Sequence, residues 1–164
     1  MSDILRLFLI IVLLTIGLAA FFLVVGILFA QRVERIKSVI RSIPGRSFGI
    51  GLVNFVFFTV LALVLFSLAE NAGAVAKGIL TIPAILITAF LAVMLSFGFA
   101  GMTNLIGEHL LPDVIPWKQT VWGSVSLSLA CALPIVGWFL LLPYSGFLGV
   151  GAFILGLFQR EPKP

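Results

Sequence analysis

The sequence predicts an all-α membrane protein: three transmembrane helices followed by a C-terminal helical hairpin, four to five membrane segments in all. Two observations carry that reading. Of 164 residues, 62% are hydrophobic and only 10% are charged, whereas a soluble domain averages about 45–50% apolar and about 25% charged residues. A soluble fold of this length could not hide so much apolar surface, which excludes a cytosolic globular enzyme. The few charges are also segregated. Uncharged stretches run over residues 7–31, 47–69, 78–107 and 119–159 and total 119 residues, and about 20 apolar residues suffice to cross a ~30 Å hydrocarbon core. The pattern predicts one integral membrane domain over 1–164, with segments at about 4–30, 48–69, 79–106, 120–133 and 137–158 and a basic amphipathic helix at 31–43.

The first segment has a small-residue site at Gly17-Leu18-Ala19 that a signal peptidase would accept, but its apolar run continues to Ala30. It is therefore read as a retained transmembrane helix. The stretch that follows holds Arg32, Arg35, Lys37, Arg41 and Arg46 against a single acid, Glu34. The positive-inside rule places such a short loop in the cytoplasm. The N-terminus and the 70–77 loop are then outside and the 108–118 loop inside. With the C-terminal tail (Arg160, Lys163) also inside, eight of the ten basic residues are cytoplasmic, leaving Arg6 and Lys77 outside. Within the basic stretch Val33, Ile36, Ile40 and Ile43 recur at helical spacing. The helix is expected to lie along the interface until Pro44-Gly45 stops it. Arg32, Arg35, Lys37, Arg41 and Arg46 are the candidate contacts for anionic lipid head groups or for an acidic cytoplasmic partner. The net charge of +4 belongs to that membrane surface and not to nucleic acid.

The second and third segments are simple spans. Sixteen phenylalanines, Phe55, Phe57 and Phe58 among them, suggest a broad exterior facing lipid or partners, and Phe153 is read as lipid-facing. The last uncharged stretch is less simple. An inside tail requires it to enter and return, yet residues 121–158 make only about 57 Å of helix at ~1.5 Å per residue, slightly short of two ordinary crossings. Pro134, Gly137, Pro143 and Gly146 break it. Two short crossings or a re-entrant hairpin with its tip at 133–138 are the expected solutions, and one long kinked helix with the tail outside is the alternative. Trp117 and Trp122 fit the cytoplasmic interface and Trp138 the outer one, while Tyr144 serves as an anchor or a core contact.

Small residues at helical spacing mark packing faces: Ala92, Ser96 and Ala100; Ser124, Ser128 and Ala132; Ser145, Gly149, Ala152 and Gly156. Small side chains let helix backbones approach in lipid, within this bundle or against another subunit. Asn54 and Asn104 are expected to bond across helices. Chemistry is scarce. No ionisable group lies near the centre of a span, which argues against pumps, proton relays and voltage sensors. Glu108, His109 and Asp113 form the only cluster of potential ligands and lack a second histidine. Cys131 stands alone. No nucleophile elbow or phosphate loop is present. No catalytic residue, no metal site and no cofactor is assigned.

Ile43-Pro44-Gly45-Arg46-Ser47 leads into a span, and Thr81-Ile82-Pro83 opens the next. Leu133-Pro134-Ile135-Val136-Gly137-Trp138 and then Leu148-Gly149-Val150-Gly151-Ala152 follow. This order resembles the small bacterial membrane domain associated with bactofilin-type polymer-forming cytoskeletal proteins. The resemblance covers 33–158 and implies a prokaryotic inner membrane and a scaffolding or anchoring role. No β-solenoid region is present here, so a polymer contact would be made in trans, and the 43–47 segment is the piece to test for it. The expected function is a non-catalytic accessory or scaffold subunit, its partners being the bilayer and other membrane subunits or a cytoplasmic scaffold. One alternative is a small transporter or channel for a neutral or apolar solute. Its only polar series is Ser124, Ser126 and Ser128, in which Ser126 falls about 200° from the others. The other alternative is a pigment or quinone contact in an energy-transducing complex, with His109 as ligand.

Overall fold

The computed structural model describes residues 2–133 and 135–158; the tail with Arg160 and Lys163, the backbone at Pro134 and the Trp138 side chain lie outside what it describes. Those residues are helical almost throughout. Helices α1 (Ser2–Leu28), α2 (Ala30–Ser42), α3 (Pro44–Glu70), α4 (Ala74–Leu110) and α5 (Pro116–Ala132) are followed by a π-helical turn (Gly137–Leu141) that runs into α6 (Leu142–Phe158). Four helical segments are long and apolar enough to cross a membrane: Phe8–Leu28, Pro44–Glu70, Ala74–Leu110 and Phe139–Phe158.

The breaks follow from local sterics. Ile43 (φ −140°, ψ 59°) and Ile115 (φ −55°, ψ 138°) leave the helical region because each precedes a proline whose ring crowds a helical neighbour. Pro44 and Pro116 then open α3 and α5, where a missing backbone donor costs nothing. Between α1 and α2 the hinge is Phe29 (φ −124°, ψ 37°). The helices overrun the sequence-derived segments: α4 starts five residues before 79, so Pro83 lies inside it instead of opening it, and only residues 111–115 separate α4 from α5.

Packing sets the register. In lipid, apolar burial gives little drive for helix association, and close backbone approach supplies the dispersion energy in its place. Gly107 of α4 meets the backbone of Gln119 and Gly123 of α5 meets that of Thr103, so the two helices run antiparallel. Gly149 of α6 lies on Gly98 of α4, and Gly146 lies by Leu95, a parallel pair; Gly51 of α3 meets Phe147 and Gly151 meets Ser47, an antiparallel pair. Because α5 opposes α4 and α6 runs with it, the chain reverses between Ala132 and Gly137, which rules out one long kinked helix.

The same registers fix how far the hairpin reaches. Stepping along each pair brings Leu142 level with Val56 on α3 and with Leu91 on α4. The far ends, Glu70 and Ala74, lie about 21 and 25 Å beyond at ~1.5 Å per residue. Along residues 57–90 only Ala62, Ala69 and Ala84 are buried, where α3 and α4 pack against each other without α5 or α6. The core sits in the other half. Ile36, Val39 and Ile40 of α2 cluster with Met94, Leu148, Val150, Ala152 and Phe153, and Phe22 of α1 clusters with Val33 and Ala100.

Candidate functional site

Helix α2 is the most polar element and the one the sequence singles out. Its apolar stripe is present, with Val33, Ile36, Val39 and Ile40 all buried, but it faces α4 and α6 and not lipid. The stripe expected to hold the helix along the interface packs on the bundle. Ile36 enters the notch that Gly101 leaves in α4, and Val39, absent from the expected stripe, is fully buried.

An ionic chain fixes this docking. Glu108, in the last turn of α4, receives Lys37 Nζ on Oε2 at 2.9 Å and Arg41 Nη2 on Oε1 at 2.9 Å. Lys37 also reaches Oε2 of Glu34 at 2.8 Å. Burial works to lower the Lys37 pKa, but hydrogen bonds and charge attraction from Glu108 and Glu34 outweigh it and hold the ammonium above its ordinary value. Lys37 and Arg41, both candidate contact residues, thus have an intramolecular partner. Glu108, weighed in the sequence only as a possible ligand, was missed as that partner: it lies 67 residues from Arg41, and neither charge count nor periodicity links residues so far apart.

The remaining basic residues divide by position. Arg32 and Arg46 are exposed. Arg35 is half-buried, with its aliphatic stem over Gly156 of α6. Pro44 and Gly45, between α2 and Arg46, are also exposed, and a side chain built at Gly45 would meet nothing within 4 Å. This face therefore offers an exposed, cationic corner.

The packing residues are brought together unevenly. Ser145, Gly149, Ala152 and Gly156 are all buried along α6, as is Ser124 on α5, while Ser128 is half-buried and Ala132 exposed. On α4, Ala100 is buried but Ser96 is half-buried and Ala92 exposed. The packed face there follows Leu91, Met94, Gly98, Gly101 and Gly107, because the glycines, and not the Ala/Ser series, mark where neighbouring backbones cross. Phe153, read as lipid-facing, is buried and stacks on Phe97 at a centroid distance of 5.5 Å.

Polar residues of the spans are mostly satisfied locally. Asn104 does bond across helices: Thr120 Oγ1 donates to its Oδ1 at 2.7 Å. Asn54 instead donates to the carbonyl of Ile50 in its own helix, at 2.8 Å. Ser124 donates to the Thr120 carbonyl. Trp117 and Trp122 are exposed near the same end of the bundle as α2, and Tyr144 stacks on Phe48 at 5.4 Å. His109 lies in the last turn of α4, not in a loop, and its Nδ1–H donates to the Leu105 carbonyl at 2.9 Å. Among the described residues no three His, Cys, Asp or Glu side chains converge as a metal site would require.

No family model, curated protein or solved structure matches the chain.

Proposed function

We propose that the chain is a non-catalytic accessory or scaffold subunit of a prokaryotic inner membrane, which anchors a larger assembly through the basic corner formed by α2 and the 43–47 junction. The orientation that goes with this reading places the N-terminus outside and the C-terminus, α2 and the α4–α5 loop in the cytoplasm. The observation that carries it is the clamp on Glu108. A helix needed only to report topology or touch lipid has no use for two cations held at 2.9 Å on one carboxylate and a fully buried Val39. A docking platform has, because ordering the surface beforehand reduces what binding must order. Arg32 and Arg46 then offer charge to an acidic partner or to anionic lipid head groups. The resemblance to the membrane domain associated with bactofilin-type proteins supports the same role, with the polymer met in trans.

A photo-reactive side chain at Gly45 tests this in membranes that contain a bactofilin-type filament. Cross-linking to the filament protein, abolished by charge reversal at Arg32 and Arg46, is the expected result. Cross-links to lipid alone would overturn the anchoring role.

A further inference from the structure

The bundle is not uniform along the membrane normal. At the end that carries α2, the ends of α1, α3 and α4 are joined by α5 and α6, with α2 packed against α4 and α6. In the opposite half, among the described residues, only α1, α3 and α4 continue, because α6 begins at Leu142, level with Val56 and Leu91, α5 ends at Ala132, level with Met94, and Gly137 of the turn between them lies against the Ala130 and Cys131 carbonyls. The charge-free part of α3 lies between Arg46 and Glu70, so Val56 is ten residues in, about 15 Å, or about half of a ~30 Å hydrocarbon core. The hairpin tip therefore ends near the midplane. Its described residues fit that depth: Leu133, Ile135, Val136, Phe139 and Leu140 are all exposed, Ile135 at 75% and Phe139 at 81%. No charge interrupts 119–159. Backbone at such a depth must be satisfied within the protein, and around the reversal the N–H groups of Leu133, Gly137 and Phe139 donate to the carbonyls of Ala130, Leu133 and Ile135.

We propose that this protein is a one-leaflet wedge: α5, α6 and the docked α2 enlarge its cross-section in the leaflet on the α2 side, and lipid acyl chains fill the space above the hairpin tip in the other. Beyond that level Val60, Leu63, Leu68, Ile82 and Leu86 are exposed and carry no charge or polar anchor, which is the chemistry of an acyl-chain contact. An inclusion wider in one leaflet crowds that leaflet's lipids. Bending that makes the crowded leaflet convex relieves the crowding, so the protein favours membranes curved in that sense and, at high density, produces the curvature. Nothing here rests on the scaffold reading.

The test uses the purified full chain, inserted into preformed phosphatidylethanolamine–phosphatidylglycerol vesicles. Orientation is read from quenching of a dye on Ser42→Cys, in a Cys131→Ala background, by a membrane-impermeant quencher. Protein per lipid is then compared between small sonicated and large extruded vesicles. With α2 outward, the density in small vesicles should be several-fold higher, and with α2 inward the preference should reverse. A dye on Ile135→Cys should be quenched best by lipids brominated near the acyl-chain ends. Equal densities in all vesicles would overturn the proposal, as would an Ile135 label reachable by an aqueous quencher from the far side. Energy transfer between labelled copies supplies the last arm. If second copies rather than lipid fill the space and abolish the size preference, the wedge is again overturned.

Discussion

Gly149 of α6 rests directly on Gly98 of α4: a methyl group at position 149 would fall 2.5 Å from the Gly98 Cα, and one at 98 would fall 2.6 Å from the Gly149 Cα. Each helix is the other's surface here, with no side chain between. Gly149→Leu must therefore separate the backbones and forfeit contacts on both sides of the crossing, a cost of about 1–3 kcal/mol for overpacking. Thermal unfolding in mild detergent should show a lower Tm for Gly149→Leu and a similar loss for Gly98→Leu. Leu63→Ala, at an exposed site on α3, should change little because acyl chains adapt to its shape. An unchanged Gly149→Leu would mean that α6 does not pack here.

The latch makes a separate prediction. Glu108→Gln keeps the shape of the side chain but removes the charge that holds Lys37 and Arg41. Hydrogen bonds to a charged group contribute about 1.5–3 kcal/mol. The Arg41 side chain is 54% exposed, which places its share at the low end, so a total loss of about 1–2 kcal/mol is expected. Hydrogen exchange should rise in α2 first, since Lys37 and Arg41 both belong to it. Because the folded state raises the Lys37 pKa, its contribution is complete below the unfolded value, near 10.4, and is lost only as pH rises through the higher folded value. Stability assigned to Lys37 should then be flat from pH 6 to 9; a fall across that window would show that another group controls the latch.

Membrane class, span count and the existence of α2 were legible in the sequence because they depend on composition and on local periodicity. So was the return of the last uncharged stretch: its length was too short for two full crossings, and Pro134 and Gly137 marked its middle. What was not legible depends on pairs far apart in the chain. The stripe of Val33, Ile36 and Ile40 predicts an apolar partner but cannot say whether lipid or Gly101 supplies it. Ala92, Ser96 and Ala100 share a face by spacing, yet α6 crosses α4 at Gly98, and Ala92, level with Pro143 of α6, points away from that crossing and is exposed. Phe153 was misplaced for the same reason, since an aromatic on a membrane helix suits lipid and a ring neighbour such as Phe97 equally well.

The Asn104–Thr120 bond gives a third prediction. Thr120 is 6% exposed and donates at 2.7 Å to Asn104 Oδ1, tying α4 to α5 on the side where α1 passes at Gly26. Thr120→Val preserves shape and removes the donor. Interhelical hydrogen bonds in membranes average about 0.6 kcal/mol, so the single change should lower stability modestly. Asn104→Ala in addition should cost less than the two single losses added together. Strict additivity in that double-mutant cycle would show that the pair does not interact.

Orientation gives the last. A reporter fused after Pro164 should be active only in its cytoplasmic form, because α1, α3 and α4 cross and the α5–α6 hairpin returns to the side it left. Activity only on the far side would require the last 41 uncharged residues to cross once, against the reversal between α5 and α6. Charge reversal separates the two roles of the basic residues. Arg32→Glu and Arg46→Glu together alter charges that face outward, and should weaken the topology signal while leaving the latch in place. Lys37→Glu and Arg41→Glu change the same net charge but set two new carboxylates beside Glu108. This second pair should therefore both weaken the signal and release α2, so that protease cuts within 30–42 in correctly inserted molecules. Equal protease resistance in the two pairs would show that Glu108 does not hold α2 to the bundle.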